Sequence, residues 1–382
     1  MRFIHTADWH IGRLFHNLSL LDDQAHVLEQ LLEILSDTRA DALVVAGDVY
    51  DRAVPPADAV RLLDEVIARI TRDCGVPVIM IAGNHDSPER LGFGSGLLAE
   101  QGFHVRGPLE PGLSPVVLGD TWGEVNFYPI PYAEPAVVRS RLGEGEVHNH
   151  DAAMAALVGR IQGENFAGRN VAIAHSFLTG GESSDSERPL TVGGAGNVSV
   201  DRFSGFDYVA LGHLHRPQEV SDGVRYSGSL LKYSFSEVEH EKSVTLVELD
   251  AVGSCRTELF PLTPRRDMRI VEGAFETLLQ GPGAGESRED YLLVRLSDKK
   301  AILDPMGRLR EVYPNVLHLE RPGLLESGEL EEMGQHQLRQ SERQLFASFF
   351  EQMTGDEPSV EQERVFAEVV DSLHSKEREA VP

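Results

Sequence analysis

Asp8-Trp9-His10, Gly47-Asp48, Gly83-Asn84-His85-Asp86, His175 and His213-Leu214-His215 put carboxylate, imidazole and amide groups into five short segments. Each segment closes an apolar run of β-forming character: Phe3 to Ala7, Ala42 to Ala46, Val76 to Ala82, Val171 to Ala174 and Tyr208 to Leu211. Mixed nitrogen and oxygen donors suit Mn²⁺, Fe²⁺ or Zn²⁺ better than Ca²⁺, and the absence of nearby thiolates argues against structural zinc. With one histidine and Asp86 set aside, seven ligands remain, enough for two ions and too many for one. Asp48, directly after a buried strand, is the natural bridge between ions about 3.5–4 Å apart. In extended backbone, side chains two apart share a side, so Asp8 should converge with His10, and His213 with His215. Asp48 alone could be a turn cap, but the joint pattern makes that reading poor for the set. His5, His16, His26 and His104 lie outside it and read as packed or hydrogen-bonded residues.

The elements that must hold these groups alternate between strand and helix over the first 250 residues. Leu20, Leu21, Val27, Leu28, Leu31, Leu32 and Leu35 recur at helical spacing, as do Leu62, Leu63, Val66, Ile67 and Ile70 after Pro55-Pro56. Val125 to Ile130, Val224 to Ser227 and Val244 to Leu249 supply further strands. An α/β sheet with helices on both sides follows, and such sheets place their sites at the carboxyl ends of the strands.

Proline and charge at Pro261 to Arg266 mark a boundary, and Tyr291 to Leu296, Asp304 to Val312 and Val316 to Leu319 describe a small α+β unit. Gly281-Pro282-Gly283-Ala284-Gly285 reads as a loop within it. Beyond Glu326 two apolar stripes are helical: Leu345, Phe346, Phe349, Phe350 and Met353, then Val365, Phe366, Val369, Val370 and Leu373. The expected parts are residues 1–262, 263–325 and 326–382.

At 382 residues, 41% apolar and 25% charged, the chain can build a substantial core. Cys74 and Cys255 make no disulfide framework, no apolar run is long enough for a membrane span, and cytoplasmic residence is expected. The net charge of -26 argues against nucleic acid on its face. Ions at the site would offset part of it, and residues 320–382, with 15 acidic and 6 basic side chains, hold about a third of the imbalance. Arg13, Arg52, Arg90 and Arg188 lie in or beside the motif loops as candidate phosphate contacts. Gly92 to Gly96 and Gly193 to Gly196 lack the strand-to-helix setting of a dinucleotide site, and there is no P-loop, nucleophile elbow or kinase signature.

Taken in order, the five motifs resemble the calcineurin-like metallophosphoesterases. His5 to Gly12, Ala46 to Arg52, Gly180 to Leu190 and Gly228 to Ser234 narrow the resemblance to the bacterial SbcD family, and Arg308 to Leu317 extends it into the second unit. The resemblance implies a β-sandwich flanked by helices, a small α+β capping domain and a helical C-terminal tail. It implies that Asp8, His10, Asp48 and His215 hold one ion, that Asp48, Asn84, His175 and His213 hold the other, and that His85 is catalytic without binding metal. Asp86 is left with two readings, orienting His85 or capping a turn. Mn²⁺ is the implied ion. The implied activities are ATP-dependent 3′→5′ double-strand exonuclease and single-strand or hairpin endonuclease, serving DNA recombination, replication and repair. ATP would be used by an SbcC ATPase subunit; the two C-terminal helical stripes either dock it or pack on this chain's own core. A homodimer within a heterotetramer is implied too, pairing through the helices after Ser19 and Pro56. A metallophosphoesterase of a small nucleotide or a phosphoprotein is the alternative, and a non-catalytic scaffold is disfavoured by the intact ligand set.

Overall fold

A computed structural model describes residues 1–143, 145–164, 166–188, 196–298, 300, 302–322, 346–347, 350 and 358–379. It divides into two compact units, Met1–Asp267 and Met268–Pro382.

Two six-stranded sheets make up the first unit, where the sequence pattern suggested one. The first runs Cys255–Pro261, Ser243–Leu249, Arg2–Thr6, Ala42–Val45, Val78–Ile81, Phe103–Arg106. The second runs Gln218–Ser221, Val224–Tyr226, Tyr208–Gly212, Arg169–His175, Gly123–Ile130, Val116–Asp120. Each has a parallel centre and an antiparallel margin. The periodicity explains the pairing of the sheets. Phe3, Ala42, Val44, Ile79 and Ile81 of one sheet and Phe127, Val171, Ile173, Tyr208 and Ala210 of the other form one buried core. The intervening residues, Ile4, Leu43, Val45, Val78 and Met80, are also buried. A strand buried on both faces reads as a continuous apolar run, so sequence alone does not say whether a helix or a sheet covers each face.

Helices supply the outer cover. Leu21–Thr38 and Ala57–Ala68 are the crossovers between adjacent parallel strands, and their stripes (Val27, Leu28, Leu31 and Leu35; Leu63, Val66 and Ile67) are buried. On the second sheet, Met154, Leu157, Val158 and Ile161 of helix His150–Gly163 pack with Tyr128, Ile130, Ala172, Ala174, Val209 and Leu211. Asn149 caps that helix by accepting from the Ala152 amide at 2.8 Å. Helix Ala57–Ala68, expected from the spacing of Leu62 to Ile70, ends in a wider π turn, Arg69–Asp73, followed by Gly75 at φ +67°.

In the second unit, Met268–Gly273, Tyr291–Leu296 and Val316–Glu320 form a parallel sheet under helix Pro305–Val312. Its core joins Leu292, Val294 and Leu296 to Phe275, Leu309 and Val316. Met268–Gly273 is the strand that the periodicity missed, since only its first residue is buried. Val360–Glu379 is helical and Phe346 stacks on Phe366 at 4.1 Å. Leu345, Phe349 and Met353 lie outside the described residues, as does the side chain of Leu373. No helix among the described residues is long and apolar enough to cross a membrane.

Candidate metal centre

All eight candidate residues lie within four positions of a strand's carboxyl end. Asp8 and His10 follow Arg2–Thr6, Asp48 follows Ala42–Val45, and Asn84 and His85 follow Val78–Ile81. From the other sheet come His175, the last residue of its strand, and His213 and His215 after Tyr208–Gly212. The site therefore spans the ends of both sheets.

The sequence reading brought Asp8 and His10 together through extended backbone, and His213 and His215 likewise. The structure uses other geometry. Asp8 (φ +53°), His10 (+46°), Asp48 (+49°) and His213 (+108°) all have left-handed backbone. Asp and His tolerate this better than most residues, yet each such residue costs about 1–3 kcal/mol and must be held by its surroundings. The holding contacts are visible. Asp8 and His10 amides donate to the carbonyls of Gly47 and Asp48 at 3.0 Å each. The His213 amide donates to both Asp8 carboxylate oxygens, at 2.9 and 3.0 Å. Buried Gln24 donates to the carbonyls of Trp9 and His10 and accepts from the Gly12 amide. Trp9 is a packing residue: it is fully buried and its indole N–H donates to Thr6 Oγ1.

The spacing of the polar atoms fits a cation. His175 Nδ1 lies 2.9 Å from the Ala46 carbonyl, which can only accept, so Nδ1 carries the proton. Its Nε2 then faces Asn84 Oδ1 at 2.9 Å and Asp48 Oδ2 at 3.5 Å, both acceptors. His213 Nδ1 sits 3.2 Å from the same Asn84 oxygen, His10 Nε2 3.1 Å from His215 Nε2, and His10 Nε2 3.7 Å from Asp48 Oδ2. With bonds of about 2.0–2.2 Å, atoms ligating one ion lie about 3.0–3.5 Å apart, so these spacings fit shared coordination. Asp8, His10 and His215 form one candidate cluster and Asp8, Asp48 and His175 another.

Charge tells the same story. Burial lifts Asp8 well above the usual carboxyl range, with the Asp48 charge adding to it. Burial opposes ionisation of Asp48 as well, but His175 holds it well below the usual range. Burial alone would lower His175, yet Asp48 and then Asp8 raise it to about 9. Burial, with the His175 charge, pushes His213 down to about 3. Without an ion, the His175 imidazolium is the counter-charge to Asp48 while burial disfavours the charge of Asp8; a divalent ion would favour the ionised form of both carboxyls and displace the imidazole proton.

His85 stands apart from this set. Its Nδ1 donates to the Asp51 carbonyl at 2.8 Å and its amide to Asp48 Oδ1 at 2.8 Å, leaving Nε2 3.9 Å from Asp48 Oδ2. A third cluster joins His85 to His10 and Asp51, but Asp51 Oδ1 is taken by Arg13 at 2.9 Å. Of the two readings of Asp86, only the cap is seen. Its carboxylate accepts from the amides of Val49, Tyr50 and Gly83 at 2.9–3.1 Å and ties two ligand loops together. The Asp51 carbonyl does the orienting.

The four arginines differ. Arg13 is engaged with Asp51 and lies over the Tyr233 ring at 5.1 Å. Arg52, Arg90 and Arg188 are exposed, and the charge of Arg188 helps to lower the His85 pKa after burial. His5 is packed as expected, bonded to the Tyr208 hydroxyl and the Leu211 carbonyl. His26 is exposed, which corrects the packed reading for it, whereas His16, though exposed, packs its ring against Phe15 and Phe235.

Sequence reasoning passed over Gln24, Asp51, Ser186, Glu187, Glu237 and Lys242. Asp51, Ser186 and Glu187 sit inside stretches quoted for the family resemblance, which was the available signal. Nothing local marked Gln24, Glu237 or Lys242.

Comparison with known proteins agrees with this geometry. Residues 1–217 match the calcineurin-like phosphoesterase family, and residues 264–354 match the type 5 capsule protein repressor C-terminal domain. A protein of Staphylococcus saprophyticus described as the D subunit of nuclease SbcCD is 33% identical over 98% of both chains. Its namesake in Staphylococcus epidermidis is 34% identical over 84% of this chain and 85% of that one. Among solved structures, TT1561 of Thermus thermophilus is a distant likeness, with 15% identity and a TM-score of 0.38 over 68% of this chain and 98% of that one. The chain belongs to the calcineurin-like phosphoesterases and, within them, to the SbcD family of metal-dependent nuclease subunits.

Proposed function

We propose that this chain hydrolyses DNA phosphodiesters at a two-metal centre loaded with Mn²⁺, as the nuclease subunit of an SbcCD-type assembly in the cytoplasm. The observation that carries the proposal is the convergence of Asp8, His10, Asp48, Asn84, His175, His213 and His215 at the strand ends with polar atoms at spacings that fit shared coordination, beside His85, whose Nδ1 is held by the Asp51 carbonyl. Asp8, His10, Asp48 and His215 hold the first ion, and Asp48, Asn84, His175 and His213 the second. When bound, the pair of ions supplies an activated water and offsets charge on the phosphate oxygens.

The chain's own residues do the rest. His85, fixed through Nδ1 by the Asp51 carbonyl, presents Nε2 to the scissile group and assists the leaving oxygen or positions the phosphate. Arg52, Arg90 and Arg188 draw the phosphate backbone towards the site, while Arg13 braces Asp51. In this reading the activities are ATP-dependent 3′→5′ double-strand exonuclease and single-strand or hairpin endonuclease, and an SbcC ATPase subunit uses the ATP and supplies DNA-binding charge. The C-terminal helical segment docks that subunit, and helices Leu21–Thr38 and Ala57–Ala68 pair two copies within a heterotetramer. The residue ranges 1–262, 263–325 and 326–382 serve as nuclease, capping and partner-binding parts.

The test is cleavage by the purified chain, with and without its ATPase partner, with Mn²⁺. Hairpin DNA and a p-nitrophenyl phosphodiester are the two substrates. Hairpin cleavage supports the DNA reading. Turnover of the small diester alone, under both conditions, moves the assignment to a small-substrate phosphoesterase.

A further inference from the structure

Behind His215 lies a buried polar chain that none of the ligand motifs includes. His215 Nδ1 is 2.6 Å from Ser186 Oγ, and Ser186 Oγ is 2.5 Å from Glu237 Oε1. Lys242 Nζ donates to Glu237 Oε2 at 2.5 Å, to the His215 carbonyl at 2.7 Å and to Ser229 Oγ at 2.9 Å. These three bonds use all three ammonium protons. Glu237 is fully buried, Lys242 6% exposed and Ser186 8% exposed. Such a chain is costly to bury and persists only when each member is satisfied.

The proton positions follow from counting. Lys242 Nζ, 2.5 Å from Glu237 Oε2, makes the two an ion pair, and an ionised carboxylate can only accept. The short Ser186–Glu237 contact therefore needs the single hydroxyl proton of Ser186, because two bare oxygens would repel at that distance. The neighbouring Ser184 hydroxyl gives its own proton to Glu187 Oε2 at 2.8 Å and offers none to spare. Ser186 must then accept from His215, so the imidazole proton is on Nδ1 and Nε2 keeps its lone pair. Glu187 adds a second hold from the same loop, accepting the His215 amide at 2.8 Å.

We propose that Ser186, Glu237 and Lys242 are positioning residues that fix His215 as the Nδ1–H tautomer and aim its Nε2 at the first ion. A carboxylate or hydroxyl behind a ligating histidine orients the ring and raises its basicity, and losing one typically costs about 10–100-fold in metal affinity. Ser186 sits 29 residues before His215 in sequence, so the loop carrying it becomes part of the metal centre. This inference rests on the reading of His215 as a metal ligand.

The test is calorimetric titration of the full chain with Mn²⁺, comparing wild type, Ser186→Ala and Ser186→Thr, with thermal melts of each metal-free protein. The expected result is a fall of about 10–100-fold at one of two sites in Ser186→Ala, with the other site and the melting temperature little changed. Ser186→Thr, which keeps the hydroxyl, should restore the lost affinity. Wild-type affinity at both sites in Ser186→Ala would overturn the positioning role, and so would equal loss at both. Failure of the wild-type chain to bind any ion would overturn the metal centre itself. Should Ser186→Ala not fold, ¹⁵N shifts of the His215 ring in the metal-free wild-type protein decide. A pyrrole-type Nδ1 supports the relay, and a pyrrole-type Nε2 refutes it.

Discussion

At Gly212 the second sheet comes close against Ala46 of the first, and replacing it with alanine tests whether that approach sets the ligand geometry. Its backbone is not left-handed, so the effect of a side chain there is steric alone. A Cβ would lie 2.9 Å from His175 Nδ1 and far inside contact distance of the Ala46 carbonyl oxygen. Ordinary contact begins at 3.4 Å, so the imidazole must retreat by 3.4 − 2.9 = 0.5 Å and the Ala46 strand by more. Both belong to the hydrogen bond that sets the His175 tautomer. Overpacking of this kind costs about 1–3 kcal/mol. A displacement of about 1 Å at a reacting centre costs about 100-fold in rate, so a loss of about 10–100-fold is expected here. The assay is p-nitrophenyl phosphodiester turnover with Mn²⁺, alongside thermal melts, with Gly96→Ala as control because a Cβ there meets nothing within 4 Å. Gly212→Ala should lose both turnover and melting temperature while the control loses neither. Wild-type turnover in Gly212→Ala would refute the idea that sheet-to-sheet packing sets the ligand spacing.

Three further outcomes are expected. Chelation should lower the melting temperature, since ions at about 100 times their dissociation constant contribute about 2.7 kcal/mol per site, and an unchanged melt on adding EDTA would contradict a loaded centre. Asp86→Ala should destabilise the fold by about 1–3 kcal/mol, because three backbone amides lose their acceptor; urea denaturation reads this. Asp120 pairs bidentately with Arg169 at 2.7 and 2.8 Å, and that contact holds its carboxyl well below the usual range against the effect of burial. A depressed carboxyl contributes stability that is present above its unfolded pKa of about 4 and is lost as pH falls below it. Asp120→Asn should therefore lower stability at neutral pH and flatten the acid limb of the stability curve, and an unchanged acid limb would count against this pair.

Ligand types and their order could be read from the sequence because the chemistry restricts them to Asp, His and Asn at strand ends. Their convergence was expected for the wrong reason. Four of these residues turn through left-handed backbone, and no glycine marked Asp8, His10, Asp48 or His213 as such positions. The second sheet was hidden because Val171, Ile173, Val209 and Leu211 are buried on both faces and show no alternation. Gln218–Ser221 and Cys255–Pro261 escaped notice because their residues are mostly polar or exposed edge positions. Sequence offered no route to the Ser186–Glu237–Lys242 chain, whose first two members are 51 residues apart and meet only in the fold.

The most direct measurement is the Mn²⁺ stoichiometry of the wild-type chain and of His85→Ala by calorimetry, with phosphodiester cleavage followed on the same samples. Two ions per chain in both proteins are expected, with cleavage by His85→Ala reduced about 10²–10⁴-fold. One ion per wild-type chain, or equal loss of metal and cleavage in His85→Ala, would contradict a two-metal centre in which His85 acts without binding metal.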